Sequence, residues 1–293
     1  MRQFSLPVPA SVAKAINSKD RKTHFILSDS LSALAKLARE RGKQQNHGDA
    51  WAGNLSLTGA CNMAISGNLA MAARSDELLA RFERFAFEAP LKAWQRDVAG
   101  QRPDVPAFIA GHPAAMRRRV RLVSQAAPLA IVIDLTTSGG VNERDIEKRG
   151  AAILALCRVL AARRPVELWA GCMTDANGKD CCAMFARIDT SPLDLAHAAF
   201  AMVSPAYPRQ MLYSLARGAH GFQGHWPYSD HNASRVHMRD IIRPALPHVG
   251  ELLAIPAIHV ADNIARNPEA WIAETLAKLE SGESNSAHAT GQE

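Results

Sequence analysis

The chain has 293 residues, 47% of them hydrophobic and 21% charged, a composition that fits a folded protein with a sizeable core and excludes a disordered one. It holds 34 Lys/Arg against 28 Asp/Glu, a net +6, and no apolar run of about 18 residues, which excludes a helical membrane span. The charge is uneven: residues 1–125 carry 19 basic against 10 acidic side chains, and residues 126–293 carry 15 against 18. A basic front and a mildly acidic rear predict two regions with different surfaces. The opening Arg2-Gln3-Phe4-Ser5-Leu6-Pro7 has no export signal. The five cysteines, Cys61, Cys157, Cys172, Cys181 and Cys182, form no C-x-x-C pair. Both points predict reduced thiols in a cytoplasm.

Residues 1–48 read as helical and polar. Leu31, Leu34, Leu37 and Ala38 fall at helical spacing, with Asp29 or Ser30 as cap and Gly42 as stop. A second helix is expected from Ser75 through Phe85. The apolar stretch from Ala107 to Gly111 reads as a short strand ended by a turn at Gly111-His112-Pro113. From Pro128 the pattern changes. Leu129-Ala130-Ile131-Val132-Ile133 is continuous, apolar and rich in β-branched residues, as expected of a strand covered on both faces. It stops at Asp134 and opens into Thr136-Thr137-Ser138-Gly139-Gly140. A long helix is expected from Asn142, with Glu143 and Asp145 where the helix dipole favours negative charge and Arg163-Arg164-Pro165 as its close. Val166–Ala170 and Cys182–Ile188 read as strands joined by a hairpin turn at Asn177-Gly178. A helix follows from Pro192 to Val203. Residues 205–250 show no clear period. Leu252 to Val260 reads as a late strand in which Pro256 sits awkwardly, and Asn267 to Leu279 as a closing helix. The expected fold class is α/β: a doubly wound, mostly parallel sheet over residues 126–280, an α-rich basic region over 1–125, and a polar tail over 281–293.

Asp134-Leu135-Thr136-Thr137-Ser138 spells D-x-T-x-S where a buried strand ends and a helix is about to begin. Ligands of doubly wound sheets bind at the carboxyl ends of strands. A hard divalent cation takes oxygen ligands and keeps several waters. Asp134, Thr136 and Ser138 supply one carboxylate and two hydroxyls for such a shell. A tight strand-to-helix turn explains the same residues without a metal.

This run resembles the metal-ion-dependent adhesion site of von Willebrand factor A-like domains, and the helix and two strands after it are in the same order. The resemblance covers roughly residues 126–280, and it is nearest to the A-like domains of the cobaltochelatase large subunit and of partners of MoxR-type AAA+ ATPases. It implies Mg²⁺ or Mn²⁺ on Asp134, Thr136 and Ser138. Thr190 and Asp262, or Asp175 in place of the latter, would complete the shell. The Thr-Asp-Gly run common after the fourth strand of such domains is absent. Over its whole length the chain is also similar to an uncharacterised bacteriophage family. That similarity rests on Trp51-Ala52-Gly53, on Asp104-Val105-Pro106-Ala107 with Ala110-Gly111-His112-Pro113, on Met116 and on the run from Arg149 to Leu156. Together the two resemblances imply a non-enzymatic protein-binding domain, metal-dependent, whose partner is an AAA+ ATPase or a phage or host assembly.

Three other groups stand out. Arg117, Arg118, Arg119 and Arg121 form the densest basic cluster, and an accessory protein binding nucleic acid through its phosphates is the alternative function. A helix-end or interface cluster paired with acidic side chains explains it equally. His220, His225, His231 and His237 crowd one stretch, where His225, Asp230 and His231 are candidate zinc ligands, although no zinc spacing is matched. Gly171 to Asp180 fails as a phosphate loop, because six residues separate its glycines and Asp180 replaces the Ser/Thr.

Overall fold

Strand residues Leu129 to Asp134 are buried along their whole length, and the molecule is layered on them. The computed structural model describes residues 1–9, 22–43, 51–80, 92–121, 128–137, 140–176, 180–220, 231–258 and 263–280. In chain order the elements are β1 (Arg2–Pro7), β2 (Lys22–Ser28), α1 (Leu31–Arg41), α2 (Leu57–Ser66), α3 (Leu69–Ala80), β3 (Lys92–Asp97), β4 (Arg102–Pro103), α4 (Val105–Ile109) and β5 (Met116–Arg121). Then come β6 (Leu129–Asp134), α5 (Glu143–Arg163), β7 (Val166–Ala176), β8 (Asp180–Ile188) and α6 (Leu195–Val203). A π-helical segment (Tyr207–Leu212) runs into α7 (Tyr213–His220). The last elements are α8 (His231–Ile242), a 3-10 turn (Arg243–Ala245), β9 (Glu251–Ile255), α9 (Asn263–Arg266) and α10 (Pro268–Glu280).

The main sheet has six strands in the order β1-β2-β8-β7-β6-β9. β6 is parallel to β7 and β9, and β2 is parallel to β8. β1 and β2 are antiparallel, as are β7 and β8. The sheet is therefore mixed rather than mostly parallel. The short β7–β8 connection imposes this, since only antiparallel strands can be joined so tightly. A second, three-stranded antiparallel sheet has the order β3-β5-β4.

Strand alternation sends Leu129, Ile131 and Ile133 to one face and Ala130 and Val132 to the other. The first face packs beneath α1, α2, α5, α6 and α10. The second is covered by Met238, Ile241 and Ile242 of α8 with Ala245 and Leu246. Cys182 belongs to the first face and Cys181 packs on the second; all five cysteines are free thiols. Burial alone pushes the Cys157 thiol up to about 12.

Several elements match their sequence signals. Ser30 caps α1 by accepting from Ala33 N, and Gly42 ends it. Asn142 caps α5, Arg164 ends it, and β9 stops one residue before Pro256. Three expectations are corrected. Residues 1–48 contain two strands besides α1. Their apolar signal is brief, Phe4 and Leu6 in one and Phe25-Ile26-Leu27 in the other, and the pairing of β2 with β8 and of β1 with β2 decides their state. The expected strand from Ala107 is helix α4, because Asp104 caps it and Pro106 sits in its first turn. The expected helix from Ser75 starts earlier, as α3, and residues 81–91 lie outside the described ones. The expected boundary near residue 125, the Asn177-Gly178 turn and the 281–293 tail also lie outside them. Among the described residues no helix is long and apolar enough to cross a membrane.

Candidate functional site

Asp134 closes β6 beside Gly171 of β7. The chain beyond is tied on both sides: Leu135 N donates to Gly171 O at 2.8 Å, and Ile258 N donates to Thr136 O at 3.0 Å. Thr137 and Ile258 extend this as a parallel bridge. Gly171 permits the close fit, since a Cβ there would lie 1.8 Å from Met184 O of β8.

Asp134 Oδ1 accepts from Thr136 N at 2.9 Å and from the Thr136 hydroxyl at 2.6 Å. A short carboxylate often folds the following backbone onto itself this way. The side chains of both residues are buried, with 0% and 2% exposure. Thr137 turns to another partner. Its Oγ1 accepts from Arg209 Nε at 2.9 Å. Arg209 also donates to Trp51 O at 2.9 Å and stacks over the Trp51 ring, 4.6 Å from its centre. Gly53 (φ 72°) and Asn54 (φ 56°), both left-handed, turn the chain just after Trp51. Burial lowers the pKa of Arg209. Tyr213 is fully enclosed next to it; burial, and after it the charge of Asp134, push its phenol up, so it stays neutral. Burial and Asp134 likewise hold Cys172 as a thiol. The rim thus gathers a carboxylate, two hydroxyls and a guanidinium under a nearly closed surface.

The predicted ligands divide. Asp134 and Thr136 are brought together. Ser138 and Asp262 lie outside the described residues, as does the side chain of Asp175, which is placed farther along β7 opposite Cys181. Thr190 is not brought to Asp134 and Thr136. Its hydroxyl donates to Val166 O at 2.6 Å, and Val166 pairs with Leu129, the first residue of β6. Asp134 is the last, so the length of the strand, roughly 16 Å at about 3.3 Å per residue, keeps the two apart. The oxygens that do converge suit a hard cation chemically. His225 and Asp230 lie outside the described residues and His231 begins α8, its side chain not described. Among the described residues, no group of three His, Cys, Asp or Glu side chains is placed to hold a metal.

The arginine cluster is a strand, β5. Arg117 and Arg96 share Asp104, at 3.0 and 2.7 Å, and Arg118 pairs with Asp97 at 2.9 Å. The two guanidinium groups hold the Asp104 carboxyl down at about 2. The side chains of Arg119 and Arg121 lie outside the description.

Two constellations carried no sequence signal. Arg209 sits in a π-helical turn, where the 3.6 period is lost. Ser5 Oγ lies 2.7 Å from His24 Nδ1, and His24 Nε2 lies 3.1 Å from Asp180 Oδ2. These are the groups of a hydrolase triad with the ring nitrogens exchanged, and they join three neighbouring strands. The residues are far apart in the chain, so only strand pairing assembles them.

A family profile described as a domain of unknown function, DUF7192, matches residues 12–242. The chain belongs to this family. The DUF7192 match runs across both sheets: it contains β2 and β6 to β8, the β3-β5-β4 sheet, Asp134, Thr136 and Arg209, and it stops before β9. No curated protein and no solved structure matches the chain.

Proposed function

We propose that residues 126–280 form an A-like domain that binds a protein partner at the rim of the main sheet, with Mg²⁺ or Mn²⁺ held by Asp134, Thr136 and Ser138. The observation that carries this reading is the convergence of Asp134 and Thr136 at the carboxyl end of a doubly covered parallel strand. Supporting it, β6 is followed by α5 and then by the β7–β8 pair, the order on which the resemblance rests. A bound ion would supply positive charge to receive an acidic side chain of the partner. Asp134 contributes the neutralising carboxylate, Thr136 orients it, and Arg209 braces Thr137 in the same loop. The partner the resemblance implies is an AAA+ ATPase or a phage or host assembly.

Isothermal titration with Mg²⁺ and with Mn²⁺ tests this on the wild type, Asp134→Asn and Ser138→Ala, each checked for fold by circular dichroism. Wild type should bind either ion, and both variants should lose the heat. Equal, negligible heats in all three overturn the metal step.

Nucleic-acid binding through Arg117, Arg118, Arg119 and Arg121 is the second reading. Arg117 and Arg118 remain 47% and 56% exposed, which favours it. Each already holds an acidic partner, which leaves less charge for phosphate and ranks this reading second.

A further inference from the structure

Residues 92–121, the small sheet with α4, display an unusual surface. α4 turns Ala107 inward, at 5% exposure, and turns Val105, Phe108 and Ile109 outward at 55%, 73% and 80%. Spacing of i, i+3 and i+4 places these three on one side of the helix. Val98, in the turn between β3 and β4, is 74% exposed. Single exposed apolar residues are ordinary, but three on one side of a short helix form a patch, with Val98 a fourth in the same segment.

The charge around the patch has one sign. The segment holds seven Lys/Arg against two Asp/Glu. Both acids are already engaged, Asp104 by Arg96 and Arg117 and Asp97 by Arg118. The three guanidinium groups stay about half exposed, at 52%, 47% and 56%. Asp104 is also the cap of α4, so Arg96 and Arg117 stand at the start of the helix that carries the apolar stripe. An apolar stripe beside half-exposed arginines that outnumber their one shared carboxylate, Asp104, has the anatomy of a protein interface.

We propose that the outer face of α4 docks an acidic segment of a protein partner, whose apolar side chains cover Val105, Phe108 and Ile109 while its carboxylates meet Arg96 and Arg117, which share one face of the small sheet. A second copy of the chain fits poorly, because a two-fold contact would press this positive face against itself. Nucleic acid fits poorly, because phosphates would desolvate against four aliphatic and aromatic side chains. The surface is separate from the Asp134 rim and does not depend on the metal reading.

The test uses the full chain and fluorescence anisotropy with three labelled probes. They are a short amphipathic peptide with Glu on one helical face and Leu and Phe on the other, polyglutamate of equal length, and a short DNA duplex. The variants are Phe108→Ser with Ile109→Ser, and Val98→Ser alone, each checked for an unchanged far-UV spectrum. The amphipathic peptide should bind best, lose affinity with added salt, and weaken about tenfold in the double variant. The proposal is overturned if the peptide fails to bind or binds the double variant equally well. Tighter binding of DNA overturns it too, as does a concentration-dependent dimer that the double variant abolishes.

Discussion

At the scale of single residues, Asp104 ties three roles to one carboxylate. It caps α4, and it receives Arg96 and Arg117. Its folded pKa, about 2, lies below the ordinary carboxyl value near 4. A depressed carboxyl pKa stabilises the fold above the ordinary value, and the benefit fades as pH falls through the folded one. Thermal unfolding followed between about pH 7 and pH 2 should therefore show wild type above Asp104→Asn at neutral pH, the gap closing toward pH 2. A gap that is constant with pH would mean the carboxylate's charge is idle. The sequence showed Asp104 only as the first residue of the run Asp104-Val105-Pro106-Ala107, with no sign of its ion pairs, because its partners Arg96 and Arg117 reach it across strand pairs. Asp134 was legible for the opposite reason: its partner Thr136 is two residues away, and local spacing records local contacts. Arg209 was not, since its partners Thr137 and Trp51 are far off in the chain.

At the scale of elements, α5 was the most legible part of the molecule. Asn142 accepts from Asp145 N at 2.8 Å and returns a bond from its own amide to Asp145 Oδ2 at 2.9 Å. This reciprocal cap fixes where the helix starts and hence where the Asp134 loop must end. Asn142→Ala should cost about 1 kcal/mol. It should lower the urea midpoint without changing the slope, while Asn142→Asp keeps most of the stability. β6 was equally plain, since a strand buried on both faces needs an unbroken apolar run. The first two strands were hidden. β1 is an edge strand in which only Phe4 and Leu6 are even half-buried, and β2 takes its place by pairing with β8, more than 150 residues along the chain. α4 was misread because Ala107-Phe108-Ile109 carries the apolar character of a strand, although Phe108 and Ile109 face outward.

At the scale of the whole molecule, the family match and the sheet end at different places. The match stops at residue 242, yet β9 pairs with β6 at residues 251–255 and Ile258 holds the Asp134 loop. A chain cut after Ile242 would leave β6, the most apolar strand, as an open edge. It should aggregate, seen as rising light scattering under conditions that keep the full chain clear. A clear solution with an unchanged circular dichroism spectrum would show that the matched region is a self-sufficient fold. The Ser5, His24 and Asp180 chain bears on the other end of the sheet. One ring nitrogen of His24 meets the serine oxygen and the other meets the aspartate carboxylate. The Lys22 amide and His24 keep Asp180 ionised below the usual carboxylate range. Acid strong enough to neutralise the aspartate therefore loosens this rivet between the N-terminal strands and the rest.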